Sequence, residues 1–203
     1  MRALVYGGAF NPPTIAHIEL ADFARKAAGF DKVIFVPSKM RYITDDQKKD
    51  FAFDDETRLA MLRECAKAHE WMEVSDYEIK AAEQPRTYTT MQYLKEQGYT
   101  VRLLFGSDKL PELAGGWKFV DEICTQFGIC CMVRNNEPVE KMIAEDPYLS
   151  TISQYIEIIH TPSDYQDVSS SKVRALYTQI RDLEKQMNTM VPEEIRHYLD
   201  GKD

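Results

Sequence analysis

The sequence lacks the features that mark several common classes of protein. Its four cysteines form no Cys-x-x-Cys pair, which disfavours a zinc site and favours buried, reduced thiols. No apolar run approaches the roughly 18 residues that a membrane-spanning helix needs. The chain enters a strand pattern by Ala3, without the basic and apolar segments of a targeting peptide. We therefore expect a cytoplasmic protein that does not enter membranes.

Positive charge is also scarce. The chain has 25 lysine and arginine residues against 33 aspartate and glutamate residues, a formal net charge of −8. Nucleic acids and membrane surfaces are polyanions, so this balance argues against both as partners. An anionic small substrate would need a local basic pocket. At 203 residues and 44% apolar content, we expect one domain over 1–203, with 175–203 as a C-terminal helical extension.

The two best-known phosphate loops are absent, since the sequence has neither Gly-x-Gly-x-x-Gly nor Gly-Lys-Ser/Thr. Residues 7–17 instead read Gly-Gly-Ala-Phe-Asn-Pro-Pro-Thr-Ile-Ala-His, directly after an apolar run at 3–6. The pattern predicts a strand, a loop that lets main-chain N–H groups approach an anion, and a helix that begins near Thr14. The alternative is an ordinary turn followed by a half-buried helix histidine at His17.

Short apolar runs and helical patterns alternate along the chain. This alternation predicts an α/β fold, a Rossmann-like, doubly wound and mostly parallel sheet with a small C-terminal helical part. Asn135 to Ser150 has no regular pattern. We expect helices over 14–28, 54–69 and 88–97 (capped by Thr87), strands at 33–36, 72–75, 101–105, 127–133 and 155–159, and two closing helices, the last starting at Pro192.

A second motif, Val-Ser-Ser-Ser-Lys-Val-Arg, occupies 168–174, between the last strand and a helix. A serine at a helix start caps main-chain N–H groups, which explains one of the three serines. This turn could also bind a triphosphate. It holds three hydroxyls together with Lys172 and Arg174, and arginine makes bidentate contacts to phosphate.

The first motif resembles the Gly-Gly-x-Phe-x-Pro-x-(His/Thr)-x-x-His signature of the nucleotidyltransferase superfamily, and the second resembles its Ile-Ser-Ser-(Thr/Ser)-x-Ile-Arg motif. Segments 58–62, 87–90 and 106–110, with Trp117 and Arg134, narrow the resemblance to the bacterial nicotinate-mononucleotide adenylyltransferases, over nearly the whole chain. The resemblance implies an enzyme of NAD biosynthesis that joins ATP and nicotinate mononucleotide to give nicotinate adenine dinucleotide and pyrophosphate.

The resemblance also implies residue roles. Catalytic roles fall on His17, Thr14 and Arg174; ATP binding on Gly7, Gly8, Ala9, Phe10, Gly106, Asp108, Ser169, Ser170 and Ser171; and pyridine-nucleotide binding on Thr87, Trp117 and Arg134. Mg²⁺ would be carried by the ATP phosphates, with no metal site of the protein itself. A structural interpretation stays open for two of these residues: Trp117 as a core residue that anchors a loop, and Asp108 as a helix N-cap.

Two positions depart from most relatives. Thr14 stands where they carry a first histidine, and Ala16 where they carry glycine. Threonine donates a hydrogen bond without a charge, so we expect altered ATP affinity rather than loss of function. The polar segment 38–53, with its four basic residues, lacks their Pro-Pro-His-Lys run. It is either a solvated surface loop or a segment that closes over substrate.

The mechanism we expect is a direct displacement. The acceptor's 5′-phosphate oxygen attacks the α-phosphorus of ATP in line, and pyrophosphate leaves. His17 and Thr14 would contact the phosphates, and Ser170, Ser171 and Arg174 would hold the β and γ groups. An ionised phosphate needs no general base.

Three alternatives remain. Pantetheine-phosphate adenylyltransferase shares both motifs and often has threonine at the first histidine position, although the chain length and the 108–117 segment argue against it. A non-catalytic nucleotide sensor would explain Thr14 and Ala16, but His17 and Arg174 are intact. A fragment of a class I aminoacyl-tRNA synthetase is disfavoured by size and acidic charge. The sequence leaves open whether the chain forms a homo-oligomer.

Overall fold

The computed structural model describes residues 1–42, 52–133, 137–165, 167–190 and 192. Strands and helices alternate along these residues. The strands are β1 (Arg2–Gly8), β2 (Lys32–Pro37), β3 (Met72–Val74), β4 (Thr100–Gly106), β5 (Ile129–Val133) and β6 (Ile156–His160). The helices are α1 (Ile15–Ala27), α2 (Asp55–Lys67), α3 (Tyr77–Lys80), α4 (Thr87–Glu96), α5 (Leu110–Ala114), α6 (Val120–Gln126), α7 (Val139–Glu145), α8 (Leu149–Ile152) and α9 (Ser170–Met190).

The six strands form one parallel sheet in the order β3-β2-β1-β4-β5-β6. This is the doubly wound arrangement, and it confirms the predicted Rossmann-like α/β fold. The chain leaves β1 towards β2 and returns to β4 on the other side of β1. The carboxyl ends of β1 and β4 therefore border the crevice where ligands bind in such sheets.

Core side chains lie on both faces of the sheet. Alternate residues of β1 point to opposite faces, so Ala3 and Val5 join one buried cluster while Leu4 and Tyr6 join the other. Helices α4 to α8 supply the first cluster, and α1 and α2 supply the second. Burial on both faces explains why β5, Ile-Cys-Cys-Met-Val, is apolar without alternation.

Most predicted elements are present, with shifted ends. Thr87 is the first residue of α4 and not its cap, because the capping position belongs to Arg86. The strand predicted from Phe127 begins at Ile129, since α6 ends at Gln126 and Gly128 turns the chain with a φ of +75°. The last strand begins at Ile156, one residue late.

The C-terminal part is described up to α9. Its start packs on the body of the protein, whereas its apolar residues Leu176, Ile180 and Leu183 are exposed. The helix predicted from Pro192 lies outside the described residues, so the C-terminal extension stays a prediction. In the part of the chain that is described, no helix combines the length and apolarity needed to cross a membrane.

Candidate active site

The loop after β1 is shaped by its own residues. Gly7 and Gly8 end the strand, and a Cβ at Gly8 would lie 3.2 Å from the ring of Phe10. Phe10 has a φ of +42°, and its ring is buried against Tyr6 and Phe35. Any nucleotide contact of Phe10 therefore comes from its main chain, whereas Gly7 and Gly8 present main chain at the crevice.

Thr14 and His17 form one unit at the start of α1. The main-chain N–H of Thr14 donates to Nδ1 of His17 at 3.0 Å, and the Thr14 hydroxyl lies 2.8 Å from the same nitrogen. A nitrogen that accepts a main-chain N–H carries a lone pair, so the ring proton of His17 sits on Nε2. His17 thus offers an N–H donor whose tautomer is fixed by the loop.

The second motif docks directly onto the first. The Ser170 hydroxyl donates to the carbonyl of Pro12 at 2.8 Å, and Nη1 of Arg174 donates to the carbonyl of Asn11 at 2.8 Å. Arg174 also donates to the Ser171 hydroxyl at 3.1 Å. Ser169 accepts from the N–H of Lys172, as the capping interpretation of one serine requires. Residues more than 150 positions apart therefore form one cluster at the N-termini of α1 and α9.

The end of β4 forms a second turn at the same edge of the sheet. A Cβ at Gly106 would lie 2.6 Å from a carboxylate oxygen of Asp108, so glycine is required for this carboxylate to fold back over the strand end. Asp108 itself is exposed, in a short 3₁₀ turn. Behind it, the buried Ser107 hydroxyl donates to Glu137.

A cavity of about 710 Å³ opens between the carboxyl ends of β1, β2 and β4. Of the predicted site residues, it is lined by Gly7, Gly8, Thr87 and Trp117. Much of its apolar lining comes from strand residues, and its volume suits a nucleotide-sized ligand. Arg134, the third predicted pyridine contact, lies outside the described residues. The remaining predicted residues do not line this cavity.

Trp117 is held in the cavity wall by two contacts. Its ring meets Phe105 edge to face with the centroids 6.3 Å apart, and its indole N–H lies 3.3 Å from the Glu112 carboxylate. The turn before it needs glycine, because Gly116 has a φ of +118°. Phe119 follows with a φ of +66° and stacks on Tyr88. The ring of Trp117 is therefore a wall of the cavity, although Phe105 also ties it to the core.

The cavity is lined by several basic side chains, although the chain as a whole is acidic. Five basic side chains line it: Lys39, Arg41, Arg86, Lys109 and Lys118. Lys39 and Arg41 belong to the basic segment 38–53, whose residues 43–51 lie outside the described part of the chain. This local basic surface is what an anionic ligand needs on a protein of net charge −8.

Sequence reasoning missed three buried polar residues around the site. Arg58 is completely buried, and donates to the carbonyls of Ala9 at 2.7 Å and Ser38 at 2.5 Å. Burial lowers the pKa of this guanidinium, and the neighbouring Asp55 carboxylate opposes the shift. Asn11 is also fully buried, and its side chain accepts from the N–H of Phe53.

The third is Glu78, which is 6% exposed and lines the cavity. Arg58 was visible only as part of a family-like segment, and nothing in the local pattern marked Asn11 or Glu78. Each of the three makes at least one hydrogen bond to a residue 12 or more positions away, which a local sequence pattern does not display.

The chain resembles known proteins over most of its length. The model of the cytidylyltransferase-like family matches residues 5–176. The chain is 28% identical over its full length to a protein of Caldicellulosiruptor bescii named "probable nicotinate-nucleotide adenylyltransferase", of which it covers 97%. It is 28% identical to the nicotinamide/nicotinic acid mononucleotide adenylyltransferase of Arabidopsis thaliana, over 84% of this chain and 77% of that protein.

Among solved structures, the fold matches the Plasmodium falciparum nicotinic acid mononucleotide adenylyltransferase complexed with NaAD. The TM-score is 0.66 at 20% identity, over 86% of this chain and 82% of the other. At this identity the match speaks for the fold alone.

Proposed function

The chain belongs to the cytidylyltransferase-like family, and on that premise we propose that it transfers the adenylyl group of ATP to nicotinate mononucleotide. The products are nicotinate adenine dinucleotide and pyrophosphate. Relatives named for this activity match the chain over nearly its whole length. The observation that carries the proposal is the docking of Ser170 and Arg174 onto the loop that ends in His17, beside a basic cavity of nucleotide size.

The reaction is an in-line displacement at the α-phosphorus. A 5′-phosphate oxygen of the acceptor forms the new P–O bond, and the bond from the α-phosphorus to the bridging oxygen breaks as pyrophosphate leaves. The Nε2–H of His17 donates to the α-phosphate oxygens as their charge is redistributed. Thr14 holds the histidine tautomer, and the α9 start, with Ser170, Ser171 and Arg174, faces the β and γ phosphates.

In the proposed reaction, Mg²⁺ binds together with the nucleotide. A cation held mainly by the phosphate oxygens of ATP would need no metal site of the protein itself. Bound there, Mg²⁺ would neutralise the triphosphate and the leaving pyrophosphate. The protein's part is to position both phosphates and to supply N–H donors.

The acceptor's ring occupies the cavity between Trp117 and Thr87. We expect nicotinate to be preferred over nicotinamide, because charge-assisted hydrogen bonds to a carboxylate are stronger than those to an amide oxygen. The N–H groups of Gly115 and Trp117 already donate within their own turn. Carboxylate recognition therefore falls to the Thr87 hydroxyl and to the N–H groups of Gly116 and Lys118.

A pyrophosphate-release assay with a panel of acceptors tests the proposal. With Mg-ATP, we expect turnover with nicotinate mononucleotide, lower kcat/KM with nicotinamide mononucleotide, and none with phosphopantetheine. Turnover with phosphopantetheine alone would assign the chain to pantetheine-phosphate adenylyltransferase. ATP binding without turnover on any acceptor would favour the nucleotide sensor. An equal or higher kcat/KM for the nicotinamide form would overturn the carboxylate pocket but not adenylyl transfer.

A further inference from the structure

The acceptor cavity contains a buried carboxyl group that the proposed reaction does not use. Glu78, on the single-turn helix α3, accepts hydrogen bonds from the Thr90 hydroxyl at 2.7 Å and from the Gln84 amide at 2.5 Å. Glu78 thus links the loop before α4 to α4 itself, and Gln84 in turn accepts from the main-chain N–H of Lys39 after β2.

The donors around Glu78 match an ionised carboxylate. Gln84 must present its NH₂ group to Glu78, because its own carbonyl oxygen accepts from the main-chain N–H of Lys39 at 2.9 Å. The Thr90 hydroxyl likewise donates. Burial raises the pKa of the Glu78 carboxyl, and these hydrogen bonds lower it part of the way back. An amide or a protonated acid at this position would set a donor against a donor.

No described lysine or arginine neutralises this carboxylate with an ion pair. Lys39, which also lines the cavity, instead donates from Nζ to the carbonyls of Ile79 and Ala81, at 2.6 and 2.5 Å. The other cavity carboxylates differ: Glu112 is exposed and paired with Lys109, and Glu83 is exposed at the rim. Glu78 is the buried negative charge of the described cavity wall.

We propose that Glu78 is the counter-charge for the pyridinium ring of the acceptor. The inference rests on the proposed function and names the chemical property by which that site selects its acceptor. An aromatic pyridine mononucleotide carries a permanent positive charge on its ring nitrogen. The cavity offers this ring apolar lining from Val36 and Leu103, the indole of Trp117, and one buried carboxyl group.

The placement of Glu78 makes its charge effective. A charge interaction in a largely desolvated wall is several times stronger than at the exposed rim, where solvent screens it. Acceptors without a cationic ring, such as phosphopantetheine or a reduced pyridine nucleotide, gain nothing from Glu78. The carboxylate would therefore select pyridinium acceptors by charge while Trp117 selects them by shape.

Oxidised and reduced nicotinamide mononucleotide provide a matched pair of probes, because the reduced ring is neutral and of similar size. The readout is the ratio of kcat/KM for the oxidised form to kcat/KM for the reduced form. We expect the wild-type ratio to exceed 10, and Glu78→Gln to lower it by about 10- to 100-fold. Glu83→Gln, the same change at the exposed rim, should alter the ratio less than about threefold.

A purely structural role for Glu78 would reduce both kcat/KM values together and leave the ratio unchanged, which would overturn the proposal. If Glu78→Gln does not fold, a wild-type ratio near one overturns it without any variant, and Glu78→Asp, which keeps the charge, should keep the preference. If wild-type protein fails to adenylylate any pyridine mononucleotide, the proposed function fails. The ratio of the two dissociation constants, measured by calorimetry, then still tests the role of Glu78.

Discussion

At the scale of single residues, the tautomer of His17 is set by the hydrogen bond that its ring accepts from the main-chain N–H of Thr14. This bond fixes the Nε2–H donor that the proposed transition state uses. We predict that His17→Ala lowers kcat by about 10² to 10³, the usual cost of one lost transition-state donor, with little change in melting temperature. Steady-state kinetics with nicotinate mononucleotide measure the effect.

His160→Ala is the matched control for that substitution. His160 lies at the end of β6 with its ring against Glu140, so its loss should leave kcat within about twofold. A His17→Ala enzyme with nearly full activity would remove the histidine from the mechanism.

Trp117 is the residue from which we expect a selective effect on the acceptor. We predict that Trp117→Ala raises KM for nicotinate mononucleotide by at least about tenfold, because the ring loses an aromatic wall, and KM for ATP by less than about threefold. Trp117→Phe should recover part of the loss. Equal increases in both KM values would instead point to a general collapse of the loop around Phe105.

Residue roles could be predicted only where the chemistry sits in a short motif. The Thr14 to His17 spacing and the serine run were readable, since each motif is a short continuous stretch, although the contact of Ser170 with Pro12 was not. Arg58, Asn11 and Glu78 were not, because each pairs with a residue outside its own motif: a loop carbonyl for Arg58, a main-chain N–H for Asn11 and a helix hydroxyl for Glu78. A buried polar residue has the same local sequence signal as an exposed one.

At the scale of elements, Arg58 links α2 to the ends of β1 and β2, next to loop 7–17. From α2 it donates to the carbonyl after β1, to the carbonyl after β2 and to Asp55. We predict that Arg58→Ala lowers the free energy of unfolding by about 3 kcal/mol, because it leaves buried carbonyls without donors. Urea unfolding measures the change.

Arg63→Ala is the control on the same helix. Arg63 is more than half exposed and pairs with Asp76 at 2.8 Å, so its loss should cost less than about 1 kcal/mol. A similar loss of stability for both variants would mean that Arg58 is not the structural link between β1, β2 and α2.

The long periodic helices were predictable and the short helices were not. Helix α1 was expected over 14–28 and occupies Ile15–Ala27, because a full apolar stripe and a terminal glycine mark it. The region 135–150 lacked a pattern, yet it contains α7 and the start of α8, whose apolar residues fit two turns or fewer. Elements this short are fixed by packing against the sheet rather than by periodicity.

At the scale of the whole molecule, burial of the thiols links stability to pH. Burial raises the pKa of Cys124 to about 11 and that of Cys130 and Cys131 to about 12, from an ordinary value of 9.0. Above pH 9 the unfolded chain ionises these thiols while the folded protein keeps them protonated. The unfolded state then binds fewer protons, so stability should fall between pH 9 and 11, by up to about 1.4 kcal/mol per pH unit for each thiol.

Urea unfolding at pH 8, 9 and 10 measures this slope. In Cys130→Ala/Cys131→Ala the overall stability is lower, but the decline with pH should be shallower because two of the three linked groups are gone. An unchanged slope would show that other groups control alkaline stability.

The central claim is that loop 7–17 and the start of α9 form one site that transfers an adenylyl group to a pyridine mononucleotide. The most direct measurement is transfer from ATP labelled at the α-phosphate, with nicotinate mononucleotide as acceptor and product identification by chromatography and mass spectrometry. We predict that the label appears in nicotinate adenine dinucleotide, with one pyrophosphate released per dinucleotide and no label on the protein. Release of labelled AMP without dinucleotide, or ATP binding with no product at all, would contradict the claim.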